Sequence, residues 1–198
     1  ATHTLKVLRE DKEIELTLTR KLVYIESVTG EVIDGVGYIK IDTFSATTVD
    51  QVTKYIDSFD NSVKSLVIDV RDNTGGYLTT AYGLGDLFIE KGKNIYQMQE
   101  KSGKVITTAA ENGVYRKFDK IAVLINQNSA SASEVLALAL KESAGATIVG
   151  TKSFGKGSVQ ETHYLPNGAM AKITVAYWLS PNGNSINLKG IEPDILIE

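Results

Sequence analysis

The chain contains no cysteine. Disulfides, zinc–thiolate sites and cysteine nucleophiles are therefore excluded for these 198 residues. The same absence fits a reducing cytosol and an exported bacterial protein equally well, so it does not fix a compartment. Histidine is scarce too, with only His3 and His163, which narrows the choice of a histidine base. No apolar run reaches about 18 residues, so no segment reads as a membrane-spanning helix. No block of like charges occurs, and a net charge of −3 gives no electrostatic reason to expect nucleic acid. What remains is 42% hydrophobic and 23% charged, ordinary for a globular chain. The length suits one good-sized domain, or a domain plus a fragment of a second. The start, Ala1-Thr2-His3-Thr4, has neither an initiator Met nor a basic and apolar leader pattern; the expectation is that the chain begins inside a longer protein.

Hydrophobic periodicity sets the organisation. Leu5 and Val7, then Ile14, Leu16 and Leu18, alternate around Glu10-Asp11-Lys12, which predicts a β-hairpin. Such a hairpin is marginal alone, so it is expected to pair with something, such as a sheet partly missing here. Strands are predicted at 35–41, 65–70, 121–125, 146–150 and 170–179, with weaker ones at 94–99, 104–107 and 159–165. Helices are predicted after Thr47 or Thr48 as a cap, over 78–89 despite Gly83 and Gly85, and over 132–142. Apolar strands alternating with helices give a mixed α/β core: a central sheet flanked by helices, with extra β-structure at both ends.

One junction draws attention. The strand 121–125 runs through Asn126-Gln127-Asn128 into Ser129-Ala130-Ser131-Ala132-Ser133-Glu134 and then a helix. A helix N-terminus beyond a strand's carboxyl end offers free N–H groups to a developing oxyanion. The plain alternative is helix capping, with Ser131 or Ser133 and Glu134 satisfying the first turn.

A serine nucleophile needs a base. His3 lies at the terminus, and His163 sits in a predicted strand with no nucleophile-elbow motif in the sequence. Lysine serves if its ammonium is disfavoured, by burial in a tight glycine-rich and apolar segment with no carboxylate nearby. Lys156, in Ser153-Phe154-Gly155-Lys156-Gly157-Ser158-Val159-Gln160, has flanking glycines, Phe154 as expected apolar cover, and Glu161 as its nearest acidic neighbour in sequence. The alternative is a surface lysine in a glycine turn. Gly150 to Lys156 also matches most of a phosphate-binding loop, but Gly157 stands where that motif needs Ser or Thr, and β-like sequence follows where it needs a helix.

Together with Asp69-Val70-Arg71-Asp72-Asn73-Thr74-Gly75-Gly76 and Gly190-Ile191-Glu192-Pro193-Asp194, these segments resemble the carboxyl-terminal processing peptidases, or tail-specific proteases. The resemblance covers about Gly35 to the end and rests on the order and spacing of the motifs. Thr74 departs from the proline common in that family before Gly-Gly. The resemblance implies a serine endopeptidase with Ser131 as nucleophile, Lys156 as base and Gln160 orienting the lysine. It implies an oxyanion hole from the backbone N–H of Ala132 and of Gly75 or Gly76. It further implies no cofactor or metal, a protein or peptide substrate bound as an extended strand, a PDZ domain in the full-length protein with residues 1–22 its remnant or connector and 23–198 the protease core, an extracytoplasmic bacterial location, and a homodimer through segments not in this chain. An inactive peptide-binding scaffold of the same fold stays as the alternative.

Overall fold

A computed structural model describes residues 2–21 and 26–197. The expected boundary at residue 22 falls outside the described residues. The N-terminal hairpin is present: β1 (Thr2–Arg9) pairs antiparallel with β2 (Lys12–Thr19) in a two-stranded sheet. Its turn, Glu10-Asp11, has positive φ at both residues, 51° and 57°, the mirror-image turn that matches strand twist.

The core is built on a six-stranded sheet in the order β12-β9-β8-β5-β4-β3. These are β3 (Val28–Ile33), β4 (Val36–Ile41), β5 (Ser65–Asp69), β8 (Lys120–Ile125), β9 (Thr147–Gly150) and β12 (Ile195–Leu196). All neighbours are parallel except the β3–β4 hairpin. A second sheet, in the order β10-β11-β6-β7, comprises β6 (Asn94–Glu100), β7 (Val105–Ala109), β10 (Ser158–Tyr164) and β11 (Met170–Leu179). The helices are α1 (Thr48–Ser58), α2 (Leu78–Asp86) and α3 (Ala132–Ala144).

Gly35, expected to open a strand, is instead the second turn residue after Asp34, and β3 precedes it. Thr47 stands at the start of α1 without capping it through its side chain. Thr48 Oγ1 instead accepts the Ser45 N–H at 2.9 Å. The glycines inside α2 have a packing cause: a Cβ on Gly83 or Gly85 would sit 3.0 Å from Val49 or Ile95. α3 buries Val135 through Leu140 without a break, as a helix apolar on all sides must. Leu136 and Leu140, fully buried there, sit in the main core with Ile39, Ile68, Val123 and Ile148 of the sheet.

Candidate active site

The three sequence motifs lie on loops that leave the carboxyl ends of adjacent parallel strands. Residues 70–77 follow β5, 126–131 follow β8, and 151–157 follow β9. Strand pairing alone therefore brings them together. Side chains then stitch them. Ser129 Oγ donates to the Val70 carbonyl at 2.7 Å, and the Ala130 N–H donates to the Asn73 carbonyl at 3.0 Å. Asp72 accepts from the side-chain amides of Asn126 and Asn128 at 2.9 and 2.8 Å, and these bonds hold its carboxyl below the usual carboxylate range. The Phe154 N–H reaches the Ser129 carbonyl at 3.0 Å.

The three serines separate cleanly. Ser129 and Ser133 are fully buried, and their hydroxyls are spent on the carbonyls of Val70 and Asn73. Ser131 is half-buried. It sits at the start of α3 with φ 57° and ψ −117°, a sparsely populated conformation for a residue with a Cβ. Backbone strain of this kind concentrates at functional sites. The capping expected from the sequence is present: the Ser131 N–H donates to Glu134 Oε2 at 2.9 Å, and the Glu134 N–H bonds the Ser131 carbonyl at 2.9 Å.

Glu134 does more than cap. It is fully buried. Its Oε2 also accepts the Lys156 N–H at 2.9 Å, and its Oε1 accepts Ser153 Oγ at 2.6 Å and the Gly155 N–H at 2.7 Å. The Lys156 carbonyl is held from the other side by Trp178 Nε1 at 2.9 Å. The lysine loop was expected to be free of carboxylates and covered by Phe154. Glu134 overturns the first expectation, and Phe154, 66% exposed, overturns the second. Apolar cover comes from elsewhere. Ser131, Lys156 and Gln160 line one cavity of about 240 Å³ whose apolar walls are Leu78, Val135, Val159 and Trp178. Gly76, Ser158 and Lys172 also line it. A larger cavity of about 710 Å³ lies beside Phe88 and Arg116, but its serine, Ser143, spends its hydroxyl on the Asn94 carbonyl.

Gln160 is exposed on β10, at a register shift in the β10–β11 pairing. Among the described residues its amide makes no hydrogen bond to Lys156, and Ser131 Oγ and Lys156 Nζ do not yet meet in one. Catalytic hydrogen bonds often tighten only when substrate is present. The phosphate-loop alternative fails on the structure, since strand β10 rather than a helix follows Lys156.

The glycine loop distinguishes its two candidates. The Gly75 N–H is taken by Asn73 Oδ1 at 2.8 Å. Among the described residues, the N–H groups of Gly76 and Ala132 have no such partner. Gly76 has φ 148°, and a Cβ there would fall 2.2 Å from the Phe44 carbonyl oxygen, so only glycine fits. That close approach accompanies a parallel bridge from Phe44 to Gly76, with Phe44 N–H on the Gly75 carbonyl and Tyr77 N–H on the Phe44 carbonyl.

Sequence comparison gives the site a context. The profile of Peptidase family S41 matches residues 35–197. The carboxy-terminal processing protease CtpA of Bacillus subtilis (strain 168) is 39% identical over 188 residues, 93% of this chain and 40% of that protein. A probable CtpA-like serine protease of Staphylococcus aureus (strain N315) is 35% identical over 197 residues, 98% of this chain and 40% of that protein. Among solved structures, a photosystem II D1 C-terminal processing protease superposes with a TM-score of 0.80 at 29% identity, over 94% of this chain and 52% of that one. The mature CPAF structure in complex with lactacystin, at 17% identity and a TM-score of 0.66, shares the fold. This chain spans about two-fifths of the length of the curated relatives it matches.

Proposed function

The chain belongs to peptidase family S41, and from that premise we propose that it is the catalytic core of a serine endopeptidase working through Ser131 and Lys156. The observation that carries the reading is the shared cavity. One half-buried, strained serine and one half-buried lysine open on it, with the uncommitted N–H groups of Gly76 and Ala132 on the loops that hold the serine. As Ser131 Oγ bonds to a peptide carbonyl carbon, neutral Lys156 takes its proton. The carbonyl π pair moves to oxygen, and the Gly76 and Ala132 N–H groups receive the oxyanion. The tetrahedral adduct collapses, the C–N bond breaks, and the lysinium protonates the leaving amine. Lys156 then deprotonates the water that releases the acyl group.

Of the two glycines left open by the sequence, Gly76 is the second oxyanion donor in this reading, because the Gly75 N–H is committed to Asn73. Gln160, across the same cavity, orients the lysine without adding charge that would favour the ammonium. The substrate is a flexible, carboxyl-terminal stretch of protein, entering extended, since backbone pairing accepts many sequences. The names of the relatives support the carboxyl-terminal part. The rest of a longer protein, a PDZ domain included, presents the tail outside the cytoplasm, and residues 1–22 lead to it.

The test is cleavage of an unstructured protein by the chain, by Ser131→Ala and by Lys156→Ala. Both variants are expected to lose cleavage. Ser131→Ala cleaving normally overturns the reading. Lys156→Ala cleaving normally moves the base elsewhere, with His163 next. An intact chain that binds peptides without cleaving them identifies a scaffold.

A further inference from the structure

Asn73 is fully buried, and every polar group it carries beyond its own N–H joins a different part of the site. Its Nδ2 donates to the Ile41 carbonyl at the end of β4 at 2.7 Å. Its Oδ1 accepts the Gly75 N–H at 2.8 Å. Its own carbonyl accepts two donors from the serine segment, the Ala130 N–H at 3.0 Å and Ser133 Oγ at 2.8 Å. One residue thus fixes the Gly75-Gly76 loop to the sheet on one side and to the turn that carries Ser131 on the other. The fit is close: a Cβ on Gly75 would lie 2.9 Å from Ser131 Cβ and 3.1 Å from the Ala132 nitrogen.

We infer that Asn73 is the positioning residue of the oxyanion hole: by occupying the Gly75 N–H, it leaves the Gly76 N–H as the loop's donor and locks it beside that of Ala132. This rests on the Ser131 reading above. Three features support it. The chain at Gly75 and Gly76 runs through φ 104° and 148°, so consecutive N–H groups do not share a direction as they would in a helix. With Gly75 spoken for inside the protein, Gly76 supplies the donor. Preorganised donors act by being in place before charge develops, which needs a rigid loop, and Asn73 ties this loop at three points. Finally, the backbone carbonyl of the same residue accepts from the Ser131 turn itself, so the loop that the Asn73 side chain braces is joined directly to the segment carrying the nucleophile.

A positioning role of this kind differs measurably from a purely structural one. A peptide aldehyde probes it: Ser131 Oγ bonds to the aldehyde carbon, the carbonyl π pair becomes the alkoxide held in the hole, and the serine proton passes to Lys156. The experiment measures kcat, KM and aldehyde affinity for the full chain, Asn73→Asp and Asn73→Ala, with active enzyme counted by a serine-reactive probe. Asn73→Asp keeps an acceptor for the Gly75 N–H but loses the donor to Ile41, and Asn73→Ala loses both. The expected result is a fall in kcat and a loss of aldehyde affinity, each approaching a hundredfold in Asn73→Ala, with KM changed little. If the variants lose only folded protein and their ratio of aldehyde affinity to KM is that of the intact chain, the inference is wrong.

A second measurement needs no variant. In glycine-labelled intact chain, the Gly75 amide is expected to be protected from hydrogen exchange before the aldehyde is added, and the Gly76 amide only after. The reverse order overturns the inference. Failure of the aldehyde to form any adduct on Ser131 is a different outcome: it overturns the proposed function on which this inference stands.

Discussion

Glu134 accepts the backbone N–H of Lys156 at 2.9 Å, bridging residues 22 apart in sequence. The same oxygen accepts the Ser131 N–H. The backbones of proposed base and nucleophile are thus held on a single atom, and the lysine loop adds Ser153 Oγ and the Gly155 N–H on the other oxygen. Replacing Glu134 by Ala takes the acceptor from all four donors, and those of Ser153 and Gly155 are buried. A buried orphaned donor costs roughly 1–3 kcal/mol. We expect Glu134→Ala to lower the unfolding free energy by about 3 kcal/mol or more, read by urea titration, and to abolish cleavage. Glu134→Gln keeps the shape and one acceptor oxygen, and should fall between.

The three serines of the motif should respond in opposite ways. Ser131→Ala removes activity and, since the strained residue keeps its backbone bonds, changes stability little. Ser129→Ala and Ser133→Ala each lose a buried hydroxyl bond. Each should cost about 1–2 kcal/mol and retain cleavage at temperatures where the protein is folded. Thermal unfolding alongside active-site labelling distinguishes them.

Asp69, at the end of β5, makes stability sensitive to acid. Burial pushes its carboxyl up, but the Arg71 guanidinium, the Tyr38 hydroxyl at 2.6 Å and the Arg71 N–H outweigh that and hold it below the usual carboxylate range. A carboxyl lowered by folding contributes stability above its unfolded value of about 3.9 and loses it as pH falls through the folded value. The gap in unfolding free energy between the intact chain and Asp69→Asn should therefore be level near neutrality and shrink below about pH 4. A gap that stays constant into acid shows that the Asp69 charge does not matter.

Gly155 has φ 90°, and a Cβ there would lie 2.7 Å from the Gly190 nitrogen. Gly155→Ala should therefore displace the lysine loop, at a cost of about 1–3 kcal/mol in backbone strain alone. Cleavage should fall more than probe labelling of Ser131, because the loop carries the proposed base and not the proposed nucleophile.

Much of the fold was legible because its central strands announce themselves. Ser65–Asp69 and Lys120–Ile125 are short apolar runs ending in turn residues. β3 was not, because Gly30 breaks its pattern; the reason for that glycine is the Tyr55 ring, 2.7 Å from where a Cβ would stand. No local rule sees a contact between a strand and α1. Ser131, Lys156 and Gln160 were singled out by the order of the motifs, and the structure puts all three on one cavity. The choice of Gly76 over Gly75 was not, since it turns on where one N–H points. Glu134 read only as a cap, and Asn73 as part of a loop, because their partners lie on other loops. Phe154 misled because apolar character in sequence does not reveal which way a side chain faces.

The placement of the motifs on three parallel strands also governs when the molecule can act. Parallel neighbours are joined by long crossovers and form late relative to local hairpins and helices. Until β5, β8 and β9 have paired, Ser131 and Lys156 belong to separate loops with no shared carboxylate between them. Under the proposed function, an unfinished copy has every reactive group and none of the alignment, so topology would suppress self-digestion during folding and cutting power would arrive only with the completed sheet.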